Sequence, residues 1–224
     1  GKEGAIALGS ALSVNTALRS LSLEWNQISD SGATAIAVGL KENPSPALTT
    51  LKLAHNGIGE MGSEQIFLAL QAKSSILTAL KLTYNDAGNQ GLAALAESLF
   101  VTEGREVTLT NLDMGHTHAG ASGLTAVGNA LKSNLGLRHL NLSYMAADSP
   151  GITHLASCMR CNASLVKLNI SSSKVSASLC SAIASSLEEN RTLIDLQMGY
   201  NNISSHSLQA IIAALSSKNR TLTV

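Results

Sequence analysis

The residues with most chemistry to offer are Cys158 and Cys161, in the run CMRC, and His116 and His118, in the run HTH. Two thiols three apart can hold half of a zinc site or cycle between dithiol and disulfide. Two imidazoles two apart can share a metal. Neither set is completed by the sequence. No second ligand pair stands at zinc spacing from CMRC, and the histidine pair has no carboxylate support in its pattern. CMRC falls at the end of a helical stretch whose core positions are Leu155 and Met159, and Cys180 falls early in the next helix, so the thiols read as small apolar filling. His118 falls in a turn. The chain also has no G-x-x-x-x-G-K-[ST] phosphate loop, no G-x-S-x-G elbow and no H-E-x-x-H helix. The reading is therefore of a non-enzyme with no catalytic residues, no cofactor and no metal.

A different regularity organises the chain. The segments LRSLSLEWNQISDSGATAIAVGLK, LTTLKLAHNGIGEMGSEQIFLALQ and LTALKLTYNDAGNQGLAALAESLF follow one template, L-x-x-L-x-L-x-x-N-x-I, then a glycine and an apolar stretch. The first leucines of successive copies are Leu18, Leu48, Leu77, Leu109, Leu137, Leu165 and Leu193, spaced 28 to 32 residues apart. An eighth copy starts at Leu222, and Gly4 to Asn15 reads as the helical half of another unit. A fixed period of this size signals a solenoid of stacked units. Each unit has two halves. Leu51 and Leu53 alternate with Thr50, Lys52 and Ala54, the period of a strand with one buried face. Ile66 and Leu70, or Leu92, Leu95 and Leu99, recur at helical spacing. Alanine, glycine and serine fill much of the remaining helix surface, which lets neighbouring helices approach. The longest interval, Leu77 to Leu109, predicts a surface excursion at Val101–Glu106.

These units resemble leucine-rich repeats of the ribonuclease-inhibitor-like class. The resemblance rests on the L-x-x-L-x-L-x-x-N core, the period, the glycines Gly32, Gly62, Gly91, Gly123 and Gly151, and the helix ends LKEN, LKSN and LEEN. It implies an α/β solenoid, a horseshoe of about seven full repeats with a parallel sheet on the concave side and helices on the convex side. The class occurs in ribonuclease inhibitor, Ran GTPase-activating protein, tropomodulin and nucleotide-binding innate immune receptors. It also implies a role for the template asparagine, whose side chain bonds backbone groups in the turn leaving each strand. Asn26, Asn56, Asn85 and Asn201 match. Thr117, Met145 and Ser173 do not, and the next aliphatic position shrinks to Ala87, Ala119 and Ala147, so less regular turns are expected mid-array. Residues 1–224 are expected to form one such domain, a fragment of a longer array or protein.

Between the core leucines, equivalent positions line up as columns crossing the sheet. One holds Trp25, His55, Tyr84, His116, Tyr144, Ser172 and Tyr200, which collects the only tryptophan and all three tyrosines. Such rings offer rigid contact area with a polar handle, so this column is the expected partner-contact strip on the concave face; at the strand's exit the same rings can instead pack on their neighbours or on the adjacent turn. A second column, Ser22, Lys52, Lys81, Asp113, Asn141, Asn169 and Gln197, carries a small basic spot at Lys52 and Lys81. A third reads Ser20, Thr50, Ala79, Asn111, His139, Lys167 and Asp195.

Fifteen basic residues balance fifteen acidic ones, so no basic groove invites nucleic acid. No run of apolar residues is long enough for a membrane span. Three cysteines without framework spacing suit a reducing, cytoplasmic setting. The sequons at Asn162, Asn190 and Asn219 recur at one point of the repeat, which explains them better than glycosylation does. The expected function is a non-enzymatic interaction module or scaffold that binds a protein partner. The alternatives are a GTPase-activating regulator of the Ran-regulator type and a fixed part of a cytoskeletal or ciliary assembly. Apolar repeat ends without caps predict self-association.

Overall fold

The computed structural model describes residues 1–100, 107–118, 120–145, 150–217, 221 and 222. The expected excursion at Val101–Glu106 lies outside the described residues, as do Ala119, Ala147 and Asn219. Strands and helices alternate: α1 (Lys2–Leu12), β1 (Ser20–Ser22), α2 (Ser29–Glu42), β2 (Thr50–Lys52), α3 (Glu60–Ala69), β3 (Ala79–Lys81), α4 (Gly88–Leu99), β4 (Asn111–Asp113), α5 (Ala121–Leu131), β5 (His139–Asn141), α6 (Pro150–Cys158), β6 (Lys167–Asn169), α7 (Ala177–Leu187), β7 (Asp195–Gln197) and α8 (Ser205–Ser217). The seven strands form one parallel sheet in chain order.

The repeat sets the register. Leu21, Leu51, Leu80, Leu112, Leu140, Leu168 and Leu196 are consecutive strand partners. With the second row, Leu53, Leu82, Met114, Leu142 and Ile170, they form a core against which the helices pack, and all of these except Leu21 and Leu196 are buried. The same positions at the outer strands of the described sheet, Leu21, Leu23, Leu196 and Met198, are only partly buried. Small residues set the helix spacing where backbones touch. A Cβ on Gly39 would lie 2.0 Å from the carbonyl oxygen of Gly9, so α1 and α2 admit nothing larger there.

Two asparagine ladders tie the units together. Asn56 donates from Nδ2 to the carbonyls of Leu23, Leu53 and Ala54, and its Oδ1 accepts from the Asn26 and Ile28 N–H groups. Asn85 repeats this one unit later, donating to the Leu53, Leu82 and Thr83 carbonyls and accepting from Asn56 and Ile58. These backbone groups would otherwise be buried and unpaired. Where asparagine is absent, Thr117 donates to the Met114 carbonyl and Ser173 to those of Leu142 and Ser171. Met145 is buried and carries the position on packing. Strand register runs through the mid-array, where Leu140, Leu142 and Met145 are at most 2% exposed, and residues 119 and 146–149 of its turns lie outside the described residues.

The second ladder sits at the helix exits. Asn134, Asn162 and Asn190 each donate backward, to Leu99, Leu131 and Met159 carbonyls respectively. Each also accepts from the N–H groups two and three residues on. Asn43 does likewise toward Leu12 and Ser45. This explains the recurring sequons: the side chains of Asn162 and Asn190 are buried and committed to the backbone.

Candidate partner-binding rim

The aromatic column begins three residues past the end of each strand. Trp25, His55, Tyr84, His116, Tyr144, Ser172 and Tyr200 all hold φ between 53 and 63°, the left-handed region. Side chains with a Cβ are strained there, by about 1–2 kcal/mol per residue, and glycine or asparagine would be the comfortable choice. The chain is held in it by register. The N–H of Trp25 donates to the Ala54 carbonyl, His55 to Thr83, Tyr84 to Gly115, His116 to Ser143, Tyr144 to Ser171 and Ser172 to Gly199. One bond per unit thus extends the sheet into the turn.

Five of these side chains stack. Ring centroids are 3.5 Å apart for Trp25 and His55, 3.8 Å for His55 and Tyr84, 4.0 Å for Tyr84 and His116, and 3.6 Å for His116 and Tyr144. Interplanar angles stay between 14 and 20°. The hydroxyl of Tyr84 and Nε2 of His116 lie 2.9 Å apart. A stacked pair contributes about 0.5–1.5 kcal/mol, so the four stacks offset part of what the ladder's own conformation costs. Ring faces are used against one another while edges stay in solvent: Trp25 is 73% exposed, Tyr84 46% and Tyr144 54%. Tyr200 keeps the backbone conformation but, among the described residues, stacks on no other ring, at 94% exposure. Burial between Tyr84 and Tyr144, and then repulsion from His55, hold His116 below the ordinary imidazole pKa.

The aromatic column forms a row at the strand exits rather than on the sheet face. It lies on the turns beyond the carboxyl ends of the strands, at the rim of the sheet. The sheet face proper is a shallow groove lined by the other two columns, with Lys52, Lys81, Asp113, His139 and Lys167 among its side chains. Its basic spot needs correction. Glu24, two positions past β1, places Oε1 2.9 Å from Nζ of Lys81. The hydrogen bond from Lys81 is the main cause that holds the Glu24 carboxyl below its usual range, with the charges of Lys81 and Lys52 adding to it against burial. Lys167 pairs with Asp195 at 2.6 Å, and Asn141 donates to Asp113 at 2.7 Å. Glu24 was not legible as a partner because it stands two repeats from Lys81.

The remaining candidates separate. His116 belongs to the ladder, whereas His118 is exposed and lies 3.9 Å from Asp86. All three cysteines are free thiols; Cys158 and Cys180 are buried and Cys161 is exposed. The core-filling expectation thus fits the first two, and Cys161 departs from it because it follows the end of α6. Burial pushes the Cys158 and Cys180 thiols up, away from the reactive thiolate. Among the described residues no group of three or more histidine, cysteine or acidic side chains could hold a metal, and no helix is long and apolar enough to cross a membrane.

A leucine-rich repeat family model matches residues 14–37 and 73–96. The human protein NACHT, LRR and PYD domains-containing protein 12 is 36% identical over 92 residues, which is 41% of this chain and 8% of that protein. The tropomodulin C-terminal domain of Caenorhabditis elegans is similar at a TM-score of 0.50 and 14% identity, covering 70% of this chain and 92% of that one. The structure titled leiomodin-1 actin-binding site 2 is similar at a TM-score of 0.49 and 18% identity, covering 70% and 88%. The tropomodulin likeness bears on fold alone. Leucine-rich repeats are thus matched in two stretches of a chain that folds as an α/β solenoid with a parallel sheet and flanking helices.

Proposed function

We propose that this protein is a non-enzymatic interaction module that holds a protein partner against the ring ladder of its rim, with Trp25, Tyr84 and Tyr144 as anchors. One observation carries the reading. Large aromatic side chains occupy left-handed backbone positions, repeat after repeat, and remain exposed at their edges. A purely structural turn would be better served by glycine. The ladder arranges its rings before any partner arrives, so little rotamer entropy is left to lose on binding. The polar, charge-balanced groove beside it adds specificity more than affinity.

The family resemblance is consistent with such a module and does not favour a GTPase-activating or a fixed structural role over it. The test is capture of partners from cell lysate, quantified for wild type, Tyr84→Ala, Tyr144→Ala and the helix-face control Val38→Ser. The proposal expects the same species to be lost from both rim variants and kept by the control, with melting temperatures showing that all are folded. Folded rim variants that capture the same set as wild type would sink it.

A further inference from the structure

The ladder is missing one rung. The column runs Trp25, His55, Tyr84, His116, Tyr144, then Ser172, then Tyr200, and the five stacked rings end at Tyr144. Ser172 has the same left-handed backbone, φ 55°, and its N–H makes the same bond to the next unit, at Gly199. The place for a ring is built, and a hydroxymethyl group stands in it. On one side is Tyr144, 54% exposed although its other face is covered by His116; on the other is Tyr200, 94% exposed. Two strand steps of about 4.8 Å separate the flanking positions, roughly 9.6 Å in all. One ring sandwiched between two others needs twice the ladder's own spacing of 3.5 to 4.0 Å. An open hollow adjoins the gap, lined by Tyr144, Met145, Ser172 and Lys174 among others.

We infer that the Ser172 gap is a slot for one planar ring, supplied by an aromatic side chain of the protein partner. That ring would complete the stack between Tyr144 and Tyr200, with the Ser172 hydroxyl and the Lys174 side chain beside it. A protein side chain is favoured over a nucleobase because the chain carries equal numbers of basic and acidic residues, and the sheet lysines Lys81 and Lys167 are ion-paired. A phosphate backbone next to the slot would meet Glu60 and Asp86 in the same hollow as Lys174. The sequence explains why the slot is specific: every other rung from Trp25 to Tyr144 is already filled from within.

The inference rests on the rim being the contact surface, but it is tested separately. N-acetyl-tryptophanamide is titrated into the protein with labelled tyrosine rings and followed by NMR, with adenosine as a parallel probe. Tyr144 and Tyr200 ring signals shift upfield with the tryptophan probe, and Tyr84, whose faces are covered, shifts far less. Tyr200→Ala weakens the probe by about fivefold, and because Tyr200 is almost fully exposed this variant folds. Ser172→His fills the slot and abolishes the shift, while Ser172→Ala retains it. His116 shows that an imidazole fits this register. No shift in the wild type, shifts unchanged in Tyr200→Ala or in folded Ser172→His, or stronger binding of adenosine would each overturn the slot. Partner capture that depends on Tyr84 while the probe fails would leave the rim standing without it.

Discussion

Glu24 of the first repeat reaches Lys81 of the third, carboxylate to ammonium at 2.9 Å, passing over the strand between them. Both side chains are partly solvated, so the pair contributes little to stability. Glu24→Gln is expected to change the unfolding free energy by no more than about 1 kcal/mol at low salt and by less at high salt. Its larger effect falls on charge: Lys81 then joins Lys52 as a basic spot, and association with an acidic partner becomes faster and more salt-dependent. Denaturant titration at two ionic strengths checks the first part. A large loss that persists in high salt would show a structural role the geometry does not support.

Acid should loosen the ladder. The folded state holds the pKa of His116 below the ordinary 6.5, chiefly through burial and then through His55. The unfolded chain therefore binds this proton more readily, and stability falls as pH drops through the ordinary value, levelling off below the folded one. His116→Gln removes that part of the pH dependence. The imidazole Cε1 proton titration by NMR is the check. An apparent pKa above the ordinary value would mean that attraction to the tyrosine faces outweighs burial and repulsion.

Asparagine substitutions should rank by position in the array. Asn85→Ala strands buried partners at Leu53, Leu82, Asn56 and Ile58. Each unsatisfied group costs about 1–3 kcal/mol, partly recovered by relaxation and water, so a loss of about 3 kcal/mol is expected by denaturant unfolding. Asn26→Ala, whose side chain donates to the Glu24 carbonyl at the array's edge, should cost about 1 kcal/mol or less. Equal losses at the two sites would contradict the ladder account.

Helix starts are capped from the preceding unit. Oδ1 of Asp30, at the start of α2, accepts from the Gly59 and Gly62 N–H groups at 2.7 and 2.9 Å, and Glu60 and Asn89 do the same for Gln90 and Gly123. Asp30→Ala should cost about 1 kcal/mol, and hydrogen exchange should quicken first in α3, not in the helix that carries the substitution. Faster exchange confined to α2 would refute the inter-repeat cap.

The period, the register of the leucine rows and the aromatic column were all legible, because each is a property of spacing. The role of Asn56 and Asn85 was legible only through the family resemblance. The left-handed backbone of Trp25 or Tyr84 was not, because aromatic residues are poor indicators of that conformation. Packing of neighbouring rings was legible as one reading of the column; the parallel stacking was not, because it depends on rotamers that bring side chains from successive units to within 4.0 Å. Asn134, Asn162 and Asn190 were visible as helix-end residues. Their bonding to the previous helix exit, like the capping by Asp30, depends on units superposing one period apart. Cys161 was misplaced because a helical stripe that predicts Leu155 and Met159 gives no guidance once the helix has ended.

On the proposed reading, the ring edges of the rim meet the partner. Hydroxyl-radical footprinting of the bound and free protein tests it most directly, since Trp25, Tyr84, Tyr144 and Tyr200 are reactive, exposed and separately quantifiable, and Phe100 gives an exposed aromatic at the end of α4. The account predicts that oxidation of the rim rings drops severalfold in the complex while Phe100 reacts as before. Protection of Phe100, or of His139 on the sheet face, with the rim rings still fully reactive would contradict it.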